Sequence, residues 1–307
     1  MSHVTEAGLE GGLMAGSSMP NMKVALDAPP ALGIIAGSGD LPGRVAAAAM
    51  RAGRDVFIIA VEGYAEPAVV GPYPHAFVRV GAAGRILSLL KQAGCRDLVL
   101  VGPVKRPSIL QLRPDAEGAR ILARIGKAAF AGDDGLLAAV VRVLAEEGFQ
   151  VIGAHDVLTD IVGPAGVMTS AVPDEAARGD IARGIAVVQA LGAVDVGQGC
   201  VVQQGIALAV EAIEGTDAML ARSATVARPG PGGVLVKLVK PGQDRRADLP
   251  TLGPRTVRAA IEAGLRGIAF EAGGTILTAQ AEMVRLADEG GLFLIGIDPA
   301  AFKPDIA

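Results

Sequence analysis

The stretch Gly33–Gly43, GIIAGSGDLPG, lies where a first β-strand passes into a first helix. The short apolar run before Gly37 is typical of a buried strand, and Pro42 suits the first turn of a helix. A dinucleotide-binding loop has the spacing G-x-G-x-x-G, whose third glycine lets the helix pack closely on the strand. Gly37 and Gly39 fit the first two positions, but Pro42 occupies the third and a glycine follows only at Gly43. The stretch predicts a strand-to-helix turn and leaves its ligand open.

Three interpretations of this turn remain. The first is a nicotinamide or flavin site, with Glu62 as the acid that holds a ribose about 20 residues later; the displaced glycine argues against it. The second is a phosphate or sugar contact made by the backbone N–H groups of Gly37, Ser38 and Gly39. The third is a tight turn without a ligand.

Outward from this turn, short apolar runs alternate with helical stretches up to residue 160. The strand runs are LGIIAG, DVFIIAV, DLVLVG and FQVIGAHDVL, and the helical stretches include RVAAAAMRAG, GRILSLLKQAG, LQLRPDAEGARILARIGKAAF and LLAAVVRVLAEEG. This alternation is typical of βαβ units with a parallel sheet. We therefore expect a Rossmann-like domain over residues 31–160, preceded by a flexible leader at residues 1–30.

The second half, residues 161–307, predicts a smaller mixed α/β domain. After the helix ARGDIARGIAVVQALG come the strand runs GCVVQQGIALAVEAI, GGVLVKLV, RGIAFEAG and GLFLIGID, with helices at TVRAAIEAG and TAQAEMVRLADEGG. Gly205 predicts a hairpin within the first strand run. The expected fold class is α/β with two domains, and the cleft between them is the expected active site.

Composition excludes several classes of protein. A net charge of −4 leaves no basic footprint for nucleic acid, so nucleic acid is not expected as a partner. The cysteines Cys95 and Cys200 lie far apart and indicate neither a disulfide framework nor a zinc site. The chain contains no apolar run of about 18 residues, the length that would predict a membrane span. These features indicate a cytoplasmic protein.

Polar residues concentrate in the motif KLVKPGQDRRADLP, residues 237–250, which follows a predicted strand. One interpretation is a solvated turn with ion pairs. The other is a functional loop, since prolines at both ends restrict it. Its cations can neutralise phosphate and its carboxylates can hold a divalent metal; these residues are Lys237, Lys240, Arg245, Arg246, Asp244 and Asp248.

A second polar motif, EGTDAML, ends another predicted strand. Glu214 and Asp217 can meet across a turn at Gly215 and offer the oxygen ligands that Mg²⁺ or Mn²⁺ prefers. Alternatively, Thr216 or Asp217 caps the helix that follows.

The ordered motifs GIIAGSGDLP, GDDGLL, GAHDV, DVGQG, EGTDAML, KPGQDRRADLPTLGP, GIAFEAG and GLFLIGID resemble the LpxI family of UDP-2,3-diacylglucosamine pyrophosphatases over about residues 31–297. The resemblance implies hydrolysis of UDP-2,3-diacylglucosamine to UMP and 2,3-diacylglucosamine 1-phosphate (lipid X) in lipid A biosynthesis. It also implies a divalent cation, Mg²⁺ or Mn²⁺, and attack by water on the β-phosphorus. Pyrophosphate hydrolysis needs positioned cations and an oriented water, which the two polar motifs can supply.

The resemblance also implies site residues and partners. The catalytic residues, which are also the metal ligands, would be Asp217, Asp244 and Asp248. The expected substrate contacts are Gly37, Ser38, Gly39, Thr216, Lys237, Lys240, Gln243 and Arg246. The protein would be a homodimer, peripheral to the inner membrane on its cytoplasmic side. A nicotinamide or flavin oxidoreductase and a non-catalytic carrier of lipid or nucleotide sugar remain as alternatives.

Overall fold

The computed structural model describes residues 29–104, 112–126 and 133–303, with only the backbone of Asp133 and Asp134. The predicted leader lies outside these residues except for its last two. Both ends of the helix predicted over residues 110–130 also lie outside them.

The first sheet is parallel and contains five strands in the order β3-β2-β1-β4-β5. The strands are β1 (Ala31–Ala36), β2 (Val56–Val61), β3 (His75–Val78), β4 (Cys95–Val101) and β5 (Gln150–Val151). Side chains alternate between the two faces of a strand, so the neighbours Ile58 and Ile59 enter two different apolar clusters. The parallel α/β sheet predicted for this half is confirmed.

Helices connect these strands and cover both faces of the sheet. They are α1 (Leu41–Arg51), α2 (Pro67–Val70), α3 (Ala83–Gln92), α4 (Ala116–Ile125), α5 (Asp133–Glu146) and α6 (Ala154–Val157). The strand predicted over FQVIGAHDVL is shorter than expected, because the chain turns into α6 after β5. The Asp156 carboxylate accepts a hydrogen bond from the Gly153 N–H (2.8 Å), which caps the start of that short helix.

The second sheet is mixed and contains six strands in the order β6-β13-β11-β9-β7-β8. The strands are β6 (Gly166–Val167), β7 (Gly199–Gln203), β8 (Ile206–Val210), β9 (Val234–Lys237), β11 (Gly267–Glu271) and β13 (Phe293–Ile297). Strands β9, β11 and β13 are parallel, whereas β7 is antiparallel to β8 and β9. The hairpin predicted at Gly205 joins β7 to β8. Gly205 has a φ of +76°, which glycine adopts readily.

The helices of this half are α7 (Glu175–Gly192), α8 (Thr216–Ala224), α9 (Pro254–Glu262) and α10 (Gln280–Glu289). Helix α7 begins where the Asp174 carboxylate accepts the Ala177 N–H (2.7 Å). It packs on one face of the second sheet, while α8, α9 and α10 pack on the other. Among the described residues, none of the helices has the length and apolarity needed to cross a membrane.

A small parallel pair, β10 (Thr251–Leu252) and β12 (Ile276–Leu277), connects the two halves. Val162 forms an antiparallel bridge with Ile276. Ile276 and Leu249 pack into an apolar cluster of the first half, and Ala247 packs against another. The loop between β9 and β10 therefore lies against both halves of the chain.

Candidate functional site

One edge of the second sheet gathers charged side chains. Gly199, at the start of β7, pairs with Lys237, at the end of β9, and Glu211 follows the antiparallel strand β8. Glu271 ends the parallel neighbour β11. Ligands of open α/β sheets bind at the carboxyl ends of the parallel strands, so this edge is the candidate site.

The first charged group at this edge is an internal ion pair. Lys237 is only 3% exposed, and its Nζ donates to both carboxylate oxygens of Glu211 (3.2 and 3.3 Å) and to Thr216 Oγ1 (2.6 Å). The Thr216 hydroxyl donates to Glu211 Oε1 at 2.6 Å. The structure thus brings together two predicted substrate contacts, Lys237 and Thr216. Both bond to Glu211, which the motifs do not single out and which lies three residues before Glu214, the first residue of EGTDAML.

The loop between β9 and β10, residues 238–250, is organised by Gln243, which is 7% exposed. Its Oε1 accepts the Lys240 N–H (2.9 Å), and its Nε2 donates to Asp248 Oδ2 (2.5 Å). The Lys240 ammonium donates to Asp195 Oδ1 (2.5 Å), in the motif DVGQG. In this structure Gln243 orients Asp248, and its predicted contact with substrate stays a prediction.

Asp244 is held by Arg246 within the same loop. The Arg246 guanidinium donates to both oxygens of Asp244 (2.9 and 2.7 Å), and the Arg246 N–H donates to Oδ1 (3.0 Å). These hydrogen bonds lower the pKa of Asp244, so its carboxylate is ionised at neutral pH. The Asp248 N–H donates to the Asp244 carbonyl oxygen (3.0 Å), so the two aspartates lie one turn apart.

Asp217 lies elsewhere, in the first turn of α8. Its Oδ2 accepts from Arg255 Nη2 of α9 (2.5 Å), at the surface. Gly215 is the N-cap of α8 and no side chain caps it, so the capping role proposed for Thr216 or Asp217 is wrong. Glu214 pairs with Arg222 rather than with Asp217.

The predicted set of three metal-ligating aspartates does not assemble in this conformation. Within residues 29–104, 112–126 and 135–303, no three His, Cys, Asp or Glu side chains lie close enough together to hold a metal ion. Mg²⁺ is commonly held by one or two carboxylates together with substrate phosphates, and Asp244 and Asp248 on their shared turn fit that mode. Metal binding by these residues stays a prediction.

Asp244 and Asp217 line two separate cavities. One, of about 280 Å³, lies between the loop residues Asp244 and Arg246 and an aliphatic wall of the first half that includes Val141 and Ala145. The other, of about 420 Å³, lies between α8 and α9 and is lined by Asp217 and Arg255.

The glycine turn after β1 contacts the loop after β4. The N–H of Gly37 donates to the Val101 carbonyl oxygen (2.8 Å), and the N–H of Ser38 donates to that of Pro103 (3.1 Å). A Cβ on Gly37 would lie 2.2 Å from the Gly102 carbonyl oxygen. These groups hold the two loops together where the strand order reverses.

The rest of the turn also contacts protein groups. The Gly39 N–H donates to Glu66 Oε1 (3.2 Å). A Cβ on Gly43 would lie 2.9 Å from Val69 Cγ1, so this displaced glycine lets α1 pack on α2 rather than on a strand. That packing differs from the role of the third glycine in a dinucleotide loop. The substrate contacts expected from Gly37, Ser38 and Gly39 stay predictions.

Comparison with known proteins covers both halves of the chain. Residues 31–161 match the LpxI N-terminal domain, and residues 164–295 match the LpxI C-terminal domain. A Caulobacter vibrioides protein named UDP-2,3-diacylglucosamine pyrophosphatase LpxI is 40% identical over 274 residues, which cover 87% of this chain and 98% of that protein. The resemblance inferred from the motifs is confirmed, and the chain belongs to the LpxI family.

Proposed function

We propose that this protein hydrolyses the pyrophosphate bond of UDP-2,3-diacylglucosamine to UMP and 2,3-diacylglucosamine 1-phosphate (lipid X), a step of lipid A biosynthesis. The observation that carries the proposal is the similarity across both domains to a relative that has this activity in its name. The charged edge of the second sheet supports it, because it presents the carboxylates and cations that pyrophosphate hydrolysis requires.

In the proposed reaction, the oxygen of a water molecule bonds to the β-phosphorus. The bond from that phosphorus to the bridging oxygen breaks, and UMP leaves with the bridging oxygen. Asp248, fixed by Gln243, orients the water and accepts its proton. Lys240 and Arg246 lie on the same loop and stabilise the phosphate oxygens. Asp244 and Asp248 would hold a divalent cation, Mg²⁺ or Mn²⁺, which would supply further charge neutralisation there.

The assay incubates the protein with UDP-2,3-diacylglucosamine and Mg²⁺ or Mn²⁺, with and without a chelator. We expect metal-dependent release of UMP and lipid X. Absence of UMP sinks the proposal, and tight substrate binding without turnover would instead indicate a carrier. In ¹⁸O-labelled water the label should enter lipid X; label in UMP would contradict attack on the β-phosphorus.

Isosteric variants test the aspartates. Asp248→Asn should lower kcat by about 10² to 10⁴-fold while substrate binding survives, since a general base contributes about this much. Asp244→Asn should also lower kcat while substrate binding survives, because it would remove a ligand of the cation. Asp217→Asn is the matched variant, and we expect it to keep most of the turnover, because Asp217 contacts Arg255 at the other cavity. A comparable loss in Asp217→Asn would mean that all three aspartates act together when substrate is bound.

We propose further that the enzyme works as a homodimer at the cytoplasmic surface of the inner membrane. Two acyl chains keep the substrate in the bilayer, since burial of each methylene contributes about 0.8 kcal/mol. Ile213 supports contact with the membrane, because it is fully exposed in the loop after β8 and lies at the same edge of the sheet as Lys237. Flotation with vesicles of phosphatidylethanolamine and phosphatidylglycerol tests membrane binding, and analytical ultracentrifugation tests the dimer, which rests on the family resemblance alone.

A further inference from the structure

Glu271 contacts two separate points of the 238–250 loop. It ends β11 and is 9% exposed. Its Oε2 accepts the N–H of Val239, at the start of the loop (3.1 Å), and its Oε1 accepts from the Nη2 of Arg245, in the middle (2.5 Å). One carboxylate therefore ties the start of the loop to its centre.

The turn after Glu271 leaves room for this contact. A Cβ on Gly274 would lie 2.8 Å from Glu271 Oε1 and 2.9 Å from Val239 Cγ2. The Gly274 N–H donates to the Glu271 carbonyl oxygen (3.2 Å), which closes the turn over the carboxylate. Any larger residue at position 274 would displace either Glu271 or the loop.

The far end of the loop is anchored differently. Ala247 and Leu249 pack against apolar clusters of the first half of the chain. Within the described part of the chain, Glu271 is thus an anchor of this loop to the second sheet, and it acts opposite the anchors on the first half. Along the chain, Asp244 lies between Val239 and Arg245, which Glu271 holds, and Asp248 lies between Ala247 and Leu249, which pack on the first half.

We infer that Glu271 is a positioning residue, which holds the 238–250 loop so that Asp244 and Asp248 are correctly placed for hydrolysis. This inference rests on the proposed function for its catalytic consequence. Glu271 acts through Val239 and Arg245 and has no contact of its own with substrate in this role. A displacement of about 1 Å in a catalytic group can lower a rate by about 10²-fold.

The first test measures the loop directly. Arg245 and Arg246 have half-exposed side chains and are cleavage sites for trypsin. Glu271→Gln removes the charge that binds Arg245, so we expect tryptic cleavage at these sites to become about tenfold faster, while the melting temperature changes little. The matched control is Glu282→Gln, which removes a similar contact to Arg258 on the surface of the same domain. It should leave cleavage of the loop unchanged.

The second test measures turnover. Glu271→Gln should lower kcat by about 10²-fold with KM changed less than about threefold, whereas Glu282→Gln should change neither. Arg245→Gln changes an exposed residue and replaces Glu271→Gln if that variant does not fold. If Arg245 acts through Glu271, the kcat effects of the two substitutions are not additive in the double variant.

The outcomes separate the inference from the proposed function. Wild-type cleavage of the loop in Glu271→Gln overturns the inference whatever the activity. Faster cleavage with unchanged kcat overturns the catalytic part of the inference. A raised KM, together with additive effects of Glu271→Gln and Arg245→Gln in the double variant, would also overturn it, because Arg245 would then be a direct phosphate ligand. If the wild-type protein releases no UMP, the proposed function fails, while the cleavage test still decides whether Glu271 holds the loop.

Discussion

Residues of the same type have different roles because their surroundings differ. Lys237 with Glu211 and Arg255 with Asp217 are both cation–carboxylate pairs, but the first is buried and the second is exposed. A buried charge needs its partner because water cannot replace it, whereas an exposed charge is solvated without one. The main role of Lys237 in this structure is therefore to pair with Glu211 at the edge of the sheet.

We expect Lys237→Met to lower the free energy of unfolding by about 3 to 5 kcal/mol, because it leaves the Glu211 carboxylate buried and unpaired. Arg255→Met, the exposed counterpart, should change it by less than about 1 kcal/mol. Urea unfolding at neutral pH measures both. Equal effects of the two variants would contradict a buried ion pair, and replacing Glu211 by Leu in the Lys237→Met background should recover stability.

At the scale of elements, the glycine turn after β1 contacts the loop after β4 at the point where the strand order reverses. The close approach of Gly37 to Gly102 leaves no space for a side chain, whereas Gly39 lies in the open and has a φ of +88°. One glycine is required by packing and the other by backbone conformation.

Substitution by alanine separates these two requirements. Gly37→Ala should destabilise the protein by more than about 2 kcal/mol, because its Cβ would overlap the Gly102 backbone. Gly39→Ala should cost about 1 to 2 kcal/mol, the penalty of a left-handed conformation. Chemical denaturation of both variants measures the difference. The reverse order would mean that the loops move apart without cost.

At the scale of the whole molecule, the two halves share a core. Ile276 belongs to the second half by sequence, but it is 6% exposed within a cluster built mainly by the first sheet and α1. The loop with Asp244 and Asp248 ends directly before β10, which pairs with the strand of Ile276. Placement of that loop therefore depends on how the two halves pack.

Ile276→Ala should lower the free energy of unfolding by about 2 to 5 kcal/mol through the cavity it creates. The matched control is Ile213→Ala, because Ile213 is fully exposed, and it should change the value by less than about 0.5 kcal/mol. Thermal and urea unfolding measure both variants. A neutral Ile276→Ala would show that the two halves do not depend on this contact for stability.

The motifs predict residues of the candidate site but not the contacts among them. The motifs KPGQDRRADLP and EGTDAML directed attention to Asp244, Asp248, Lys237 and Thr216. Their spacing did not indicate that Lys237 bonds Glu211, which lies 26 positions away, or that Asp217 contacts Arg255. Glu271 had no local signal beyond its place at the end of a strand.

The sequence by itself determined the alternation of strands and helices, the parallel first sheet, the hairpin at Gly205 and the family. These depend on periodicity, turn residues and ordered motifs, which are local or read in chain order. Only the tertiary structure decided which charges pair, which aspartates share a turn and which backbone N–H groups are already bonded. Those contacts follow from strand order and from the packing of the two halves, which bring together residues that no local spacing relates.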